Sequence, residues 1–178
     1  EGACVDSFGV GERMITSSSE PVIGGVYKLA GIEDEHGNII PKIKIKCKIL
    51  QKITTPCFKN LWRLYDRTSG KAIADVVTLF DEVMMISNRT YFLDPVNTWK
   101  RKTVESFRAV PLRQQIFKRG KNMTTPKSLQ EIQAYCKEQV NTLWPEVLRF
   151  DHPHNYYVDL SQELWSIKAE LLQKNSSK

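Results

Sequence analysis

Residues 5–14 read VDSFGVGERM, and the placement of this stretch decides the fold. Cys4 and Val5 close a short apolar run that has strand character. Asp6 and Ser7 then lead into Phe8-Gly9-Val10-Gly11, and residues 12–16 suit one or two helical turns before the breaker Ser17-Ser18-Ser19-Glu20-Pro21. Two glycines one residue apart at a strand end let the chain turn tightly. Successive backbone N–H groups then point inward, and the next helix adds its positive terminus. Such a turn holds a phosphate monoester through amides alone. It is equally a plain strand-to-helix connection: it lacks the six-position dinucleotide fingerprint and the terminal Lys-Ser/Thr of the nucleoside-triphosphate loop. On these residues alone both readings stand.

A buried strand at the first residues needs neighbours, because an unpaired buried backbone is costly. The later strands pair among themselves as hairpins, so the expectation is a C-terminal piece of a larger α/β fold. The segment 24–29 returns to strand character, and 34–38 is a turn before a one-sided pattern carried by Ile39, Ile43 and Ile45. A second hairpin is predicted from Leu61-Trp62-Arg63-Leu64-Tyr65 through Asp66-Arg67-Thr68-Ser69-Gly70 into 72–79, with Gly70 supplying the positive φ. Further strand character is predicted at 84–86 and 106–117, with a turn at 118–121, while the segment around Trp99 is ambiguous.

Beyond residue 127 the period changes. Ser128 and Glu131 have capping-box spacing, and Leu129, Ile132, Cys136, Val140, Leu143 and Val147 fall on one helical face, limited by Pro145. A second helix is predicted from Ser161, and the aromatic stretch 150–158 reads as a packed connector. The expected organisation is 1–23 as strand, turn and short helix, 24–127 as a strand-rich region, and 128–178 as C-terminal helices.

The composition, 41% hydrophobic and 26% charged, is that of a globular chain, and no run reaches the length of a membrane-spanning helix. An intracellular, cytoplasmic protein with neither membrane nor nucleic-acid partner is the expectation. Cys4, Cys47, Cys57 and Cys136 have no metal-ligand or redox spacing and are expected as buried free thiols. His152 and His154 flank Pro153 in the connector and His36 sits in a turn, so no metal site or nucleophilic triad is predicted. The formal charge of +6 is uneven: residues 41–72 carry nine Lys or Arg to one acid, and residues 98–127 again nine to one. Such blocks draw an anionic partner or simply form solvated faces.

Taken with Pro21-Val22-Ile23-Gly24-Gly25-Val26-Tyr27-Lys28-Leu29, the opening stretch resembles the C-terminal part of nicotinate phosphoribosyltransferases, bacterial-type members above all. The likeness continues through Trp62-Arg63-Leu64-Tyr65, Asp94-Pro95 with Trp99-Lys100-Arg101, Phe107-Arg108-Ala109-Val110 and Asn155-Tyr156-Tyr157-Val158-Asp159-Leu160-Ser161. The resemblance implies an irregular α/β barrel enzyme of NAD biosynthesis that joins nicotinate to phosphoribosyl pyrophosphate, gives nicotinate mononucleotide and pyrophosphate, and couples this to ATP hydrolysis, with magnesium as its metal.

It also implies that Gly9, Val10, Gly11 and Glu12 cradle the 5′-phosphate at the end of a late barrel strand, with Asp6 and Lys28 on the rim. Glu12 stands where the family usually has Thr, and Cys57 where Gly is common. None of the three histidines matches the family's phosphorylated histidine. The catalytic residues and most contacts to nicotinate, phosphoribosyl pyrophosphate and ATP are thereby expected in the preceding part of the enzyme, with a possible homodimer. The chain alone is expected to be inactive. The competing expectation is a non-enzymatic interaction or regulatory module docking an anionic partner through its basic blocks.

Overall fold

The computed structural model describes residues 4–11, 14–16, 25–45, 53–82, 89–95 and 99–176. Its centre is the hairpin legible in sequence. Strand β3 (Lys59–Asp66) runs antiparallel to β4 (Ala72–Leu79), with Trp62 opposite Val76 and Arg63 opposite Asp75. Asp66 closes the turn by accepting from the backbone N–H groups of Thr68 and Ser69, and Gly70 takes φ +69°, where a Cβ is disfavoured. The register shifts between Leu64 and Tyr65, and Ile73 is left without an opposite residue, a β-bulge.

Around this hairpin the sheet grows to six strands in the order β6-β5-β10-β4-β3-β7, with β5 at Arg89–Leu93, β6 at Arg101–Glu105, β7 at Phe107–Pro111 and β10 at Val158–Leu160. Strand β10 lies parallel to β4 and antiparallel to β5, joining the two halves of the sheet. Two small hairpins stand apart from it: β1 (Gly31–Glu33) with β2 (Ile39–Pro41), and β8 (Phe117–Lys118) with β9 (Lys121–Asn122). Asp34 shapes the first turn by accepting from the backbone of His36 and Asn38, so His36 is exposed as expected.

The apolar residues sort into two clusters. Leu64, Val76, Phe92, Val104 and Phe107 form one, and Cys57, Leu160 and Leu164 form the other. Helix α3 (Gln162–Ser176) packs over the second cluster. Its start is fixed by Ser161, whose hydroxyl accepts from the Leu164 N–H at 3.3 Å and donates to Glu82 at 2.7 Å. Glu82 also accepts from the Leu79 N–H, so one carboxylate ties the end of β4 to the helix start.

Helix α1 (Leu129–Asn141) begins with the predicted capping box: the Ser128 hydroxyl accepts from the Glu131 N–H, and the Glu131 carboxylate accepts from the Ser128 N–H. It stops at Asn141, and Pro145 opens a separate short helix, α2 (Pro145–Leu148). The predicted continuous face to Val147 is thereby broken, because proline is preorganised for a helix's first turn and cannot continue a previous one.

Cys4 and Val5 are exposed and pair with no strand among the described residues, and the neighbours expected for them lie outside this chain. Other expectations are corrected: residues 25–30 form no strand, with Val26 and Tyr27 exposed. A strand requires a hydrogen-bonding neighbour, and none pairs with these residues among the described ones. The face of α1 is helical as predicted but exposed at Leu129, Ile132 and Val140. Cys57 is buried, whereas Cys4 and Cys136 are exposed free thiols. The connector 150–158 contains exposed Phe150 and, at its end, the central strand β10. Glu12, Cys47 and the strand predicted at 84–86 lie outside the described residues.

Cys57 takes φ +73° in spite of its side chain. That conformation is a physical reason for the glycine expected there.

Candidate functional site

Asp6, Gly9, Val10 and Gly11 follow one another on an exposed segment, and Met14 N–H closes a turn onto Gly11 C=O at 3.2 Å. Lys28 is also exposed, within the segment 25–30. A Cβ added at Gly9 or Gly11 meets nothing within 4 Å, and neither glycine has a positive φ. Neither steric crowding nor backbone conformation in the described structure therefore calls for glycine at these two positions.

The sheet surface beside α1 holds a charged network that sequence reading missed. The Arg63 guanidinium donates to both Asp75 oxygens, Nε to Oδ1 at 2.8 Å and Nη2 to Oδ2 at 2.9 Å, and Nη1 reaches Gln139 of α1 at 3.3 Å. The Tyr156 hydroxyl donates to Asp75 Oδ1 at 2.9 Å, and its ring lies 5.8 Å from the guanidinium carbon. Hydrogen bonding to Asp75 raises the Arg63 pKa, while burial foremost raises that of Tyr156. The arrangement is structural: it pins α1 and the 150–157 connector to the central hairpin. The cross-strand pairing of Arg63 with Asp75 was a readable signal once the hairpin register was known.

Three cations of the basic block 41–72 are engaged by carbonyls of the chain itself. Lys59 Nζ donates to the carbonyls of Thr55, Pro56 and Cys57 at 2.8, 3.1 and 2.6 Å. Arg67 donates to Phe107 C=O, and Lys71 to the carbonyls of Asn141 and Leu143 behind α1. These cations satisfy chain carbonyls, which weakens the reading of the block as a docking face for an anionic partner.

A second charged group surrounds β10. Asp159 is buried, and its pKa is raised by burial first and by the neighbouring Asp94 carboxylate second, against an opposing pull from Lys102. Lys102 Nζ donates to Ile73 C=O at 3.3 Å and sits 4.4 Å from the Tyr157 ring centre. Lys168, from α3, donates to Pro95 C=O at 3.0 Å. Burial lowers the pKa of both lysines.

A carboxyl whose folded pKa lies above its unfolded one contributes stability below the unfolded value, and that contribution is lost as pH rises through the folded value. Asp159→Asn is therefore expected to raise the melting temperature at pH 7, with the gain shrinking as the pH is lowered through the carboxyl range. Melting curves of both proteins across that range check it, and a variant less stable than the parent at pH 7 contradicts it.

Among the described residues no group of three or more His, Cys, Asp or Glu side chains stands where it could hold a metal ion, and no helix is long and apolar enough to cross a membrane.

Residues 58–168 match the nicotinate phosphoribosyltransferase C-terminal domain. Over all 178 residues the chain is 33% identical to the nicotinate phosphoribosyltransferase of Bacillus subtilis (strain 168), covering 36% of that protein. It is 27% identical over 171 residues to the human protein of the same name, covering 96% of this chain and 30% of that one. The crystal structure of human nicotinic acid phosphoribosyltransferase superposes with a TM-score of 0.68 at 25% identity, over 90% of this chain and 30% of that chain. The chain thus spans about a third of the length of these relatives.

Proposed function

The chain belongs to the nicotinate phosphoribosyltransferase C-terminal domain family, and from that premise we propose that it is the C-terminal part of an enzyme converting nicotinate and phosphoribosyl pyrophosphate to nicotinate mononucleotide and pyrophosphate, with coupled ATP hydrolysis. The observation that carries this reading is the extent of the likeness. It runs over the whole chain, including the glycine turn and residue 28, which lie outside the matched domain at 58–168.

In this reading Gly9, Val10, Gly11 and Glu12 present backbone amides to the 5′-phosphate, and Asp6 and Lys28 stand on the rim. The turn follows a late strand of an irregular α/β barrel completed by the rest of the protein, which also covers the exposed apolar face of α1. The proposed divisions are 1–23 for strand and turn, 24–127 for the strand-rich region and 128–178 for the helices.

The bond from ribose C1 to the pyrophosphate oxygen breaks, the bond from C1 to the nicotinate nitrogen forms, and pyrophosphate leaves with the electron pair. A phosphate held 5′ on the ribose takes no part in that exchange. Its role is to fix C1 in register with both partners. ATP and magnesium, as the family resemblance implies, are assigned to the preceding part of the enzyme, together with the residues that act on the reacting atoms. A cytoplasmic homodimer completes the proposal.

Incubating the full-length protein with nicotinate, phosphoribosyl pyrophosphate and magnesium ATP is expected to yield nicotinate mononucleotide, detected by mass. The 178-residue chain is expected to yield none. Product from the short chain, or none from the full-length protein, overturns the assignment.

A further inference from the structure

The end of the second basic block, residues 98–127, stands clear of the six-stranded sheet. Strands β8 and β9 pair Phe117 with Asn122 and Lys118 with Lys121, and the Met123 N–H donates to Ile116 C=O at 2.8 Å. Arg119 and Gly120 turn the chain with φ +48° and +76°, the geometry that suits a two-residue hairpin loop. Alternation along the strands puts Ile116, Lys118, Lys121 and Met123 on one face, apolar at the base and cationic at the tip. All four side chains are exposed, and the sequence holds no acid between Glu105 and Glu131.

Alone, this hairpin is poorly stabilised. A two-stranded ribbon with nothing packed on it is at best marginal in water. Like charges directly opposite one another, as at Lys118 and Lys121, weaken the pairing further. A partner that covers Ile116 and Met123 and sets carboxylates against the lysines removes both defects.

A surface of that kind lies on the same chain. Among the described residues, a groove of about 690 Å³ runs between the β1–β2 hairpin, the open end of β3 and β4, and helix α3. Ile39, Leu79, Ile167 and Leu171 line it with apolar surface, while Glu33, Asp81 and Glu170 are exposed along it, against one cation, Lys174. The stacked rings of Phe58 and Phe80, 4.3 Å between centres, also line it, and Arg113, shortly before Ile116, lies 4.9 and 5.1 Å over them. Hairpin and groove are therefore neighbours on one patch that carries both halves of a complementary pair. A twofold interface requires such a self-complementary patch.

We propose that the β8–β9 hairpin of one copy docks in the groove of a second copy, and the reverse, with Lys118 and Lys121 facing Glu33 and Glu170, and Ile116 and Met123 on the apolar lining. This names a surface for the homodimer of the proposed function and rests on that part of it alone. Formation of nicotinate mononucleotide tests the enzyme reading separately.

The test is light scattering of the full-length protein at low ionic strength, where charge pairing is least screened. Lys118→Glu with Lys121→Glu, and Glu33→Lys with Glu170→Lys, each set like charge against like at both docking points. Each double variant is expected to self-associate at least about tenfold more weakly than the parent. Mixed in equal amounts, the two are expected to form a heterodimer, because both docking points then pair opposite charges. All four residues are exposed, so each variant is expected to keep the parent's far-ultraviolet circular dichroism.

A monomeric parent overturns the inference, as does a parent dimer that both double variants leave unchanged. Dimers lost in the variants and not restored in the mixture overturn it too, in favour of a hairpin or groove covered by another part of the same protein.

Discussion

Asp75→Ala is expected to destabilise the domain by about 3 kcal/mol, the lower end of the cost of removing one partner from a buried ion pair. Asp75 accepts two bonds from Arg63 and one from Tyr156, and the side chains of the ion pair are only 19% and 10% exposed. Removal leaves a guanidinium and a phenol poorly solvated and without their acceptor. The loss also has a location. Arg63 links Asp75 to Gln139 of α1, and Tyr156 holds the connector, so protease cleavage near residues 149–157 is expected to accelerate along with the shift of the urea transition. Replacing both members of the pair, Arg63→Met with Asp75→Leu, is expected to recover part of the loss, because no charge is then stranded. A loss under about 1 kcal/mol for Asp75→Ala would show the pair to be a solvated surface bridge.

Phe92→Ala is expected to cost about 3–5 kcal/mol, the range for truncating a buried aromatic. Phe92 is among the largest fully buried side chains and packs with Leu64, Val76, Val104 and Phe107, which come from four other strands. It therefore bridges β5 to strands on the far side of β10. Urea unfolding of the parent and variant measures the loss, and a cost below about 1.5 kcal/mol would mean that the sheet collapses into the cavity. Phe92→Leu, which keeps most of the volume, is expected to lose much less.

What the sequence revealed, and what it hid, follows from how local each cause is. The β3–β4 hairpin was legible because Gly70 and the Asp66 turn are contiguous with the strands they join. The capping box at Ser128 and Glu131 lies within one helical turn. Strand β10 was not legible: three residues at the end of an aromatic connector become a strand only by pairing with residues 75–77 and Leu93, far away in sequence. Strand β6, Arg-Lys-Thr-Val-Glu, is mostly polar because it is an edge strand, and Val104 alone of its residues is buried.

The same distinction governs the candidate sites. The glycine turn is contiguous, and its residue types announce it. The charged group of Lys102, Tyr157 and Asp159, by contrast, is assembled only by the pairing of β10 with β4 and β5. Burial of Cys4, Cys136 and the α1 face was expected from apolar pattern, but pattern alone says nothing about which part of a protein supplies the covering surface. The described chain leaves those residues exposed.

The central proposal is that backbone amides of the glycine turn hold the nucleotide phosphate. It is tested most directly by the affinity of full-length Gly11→Val for nicotinate mononucleotide, measured by calorimetry beside the parent. A Cβ added at that position meets no atom within 4 Å in the described chain, so an unchanged melting temperature is expected. Affinity is expected to fall by roughly tenfold or more, as for loss of one hydrogen bond to a charged group. An affinity equal to that of the parent would contradict the assignment of this turn to the phosphate.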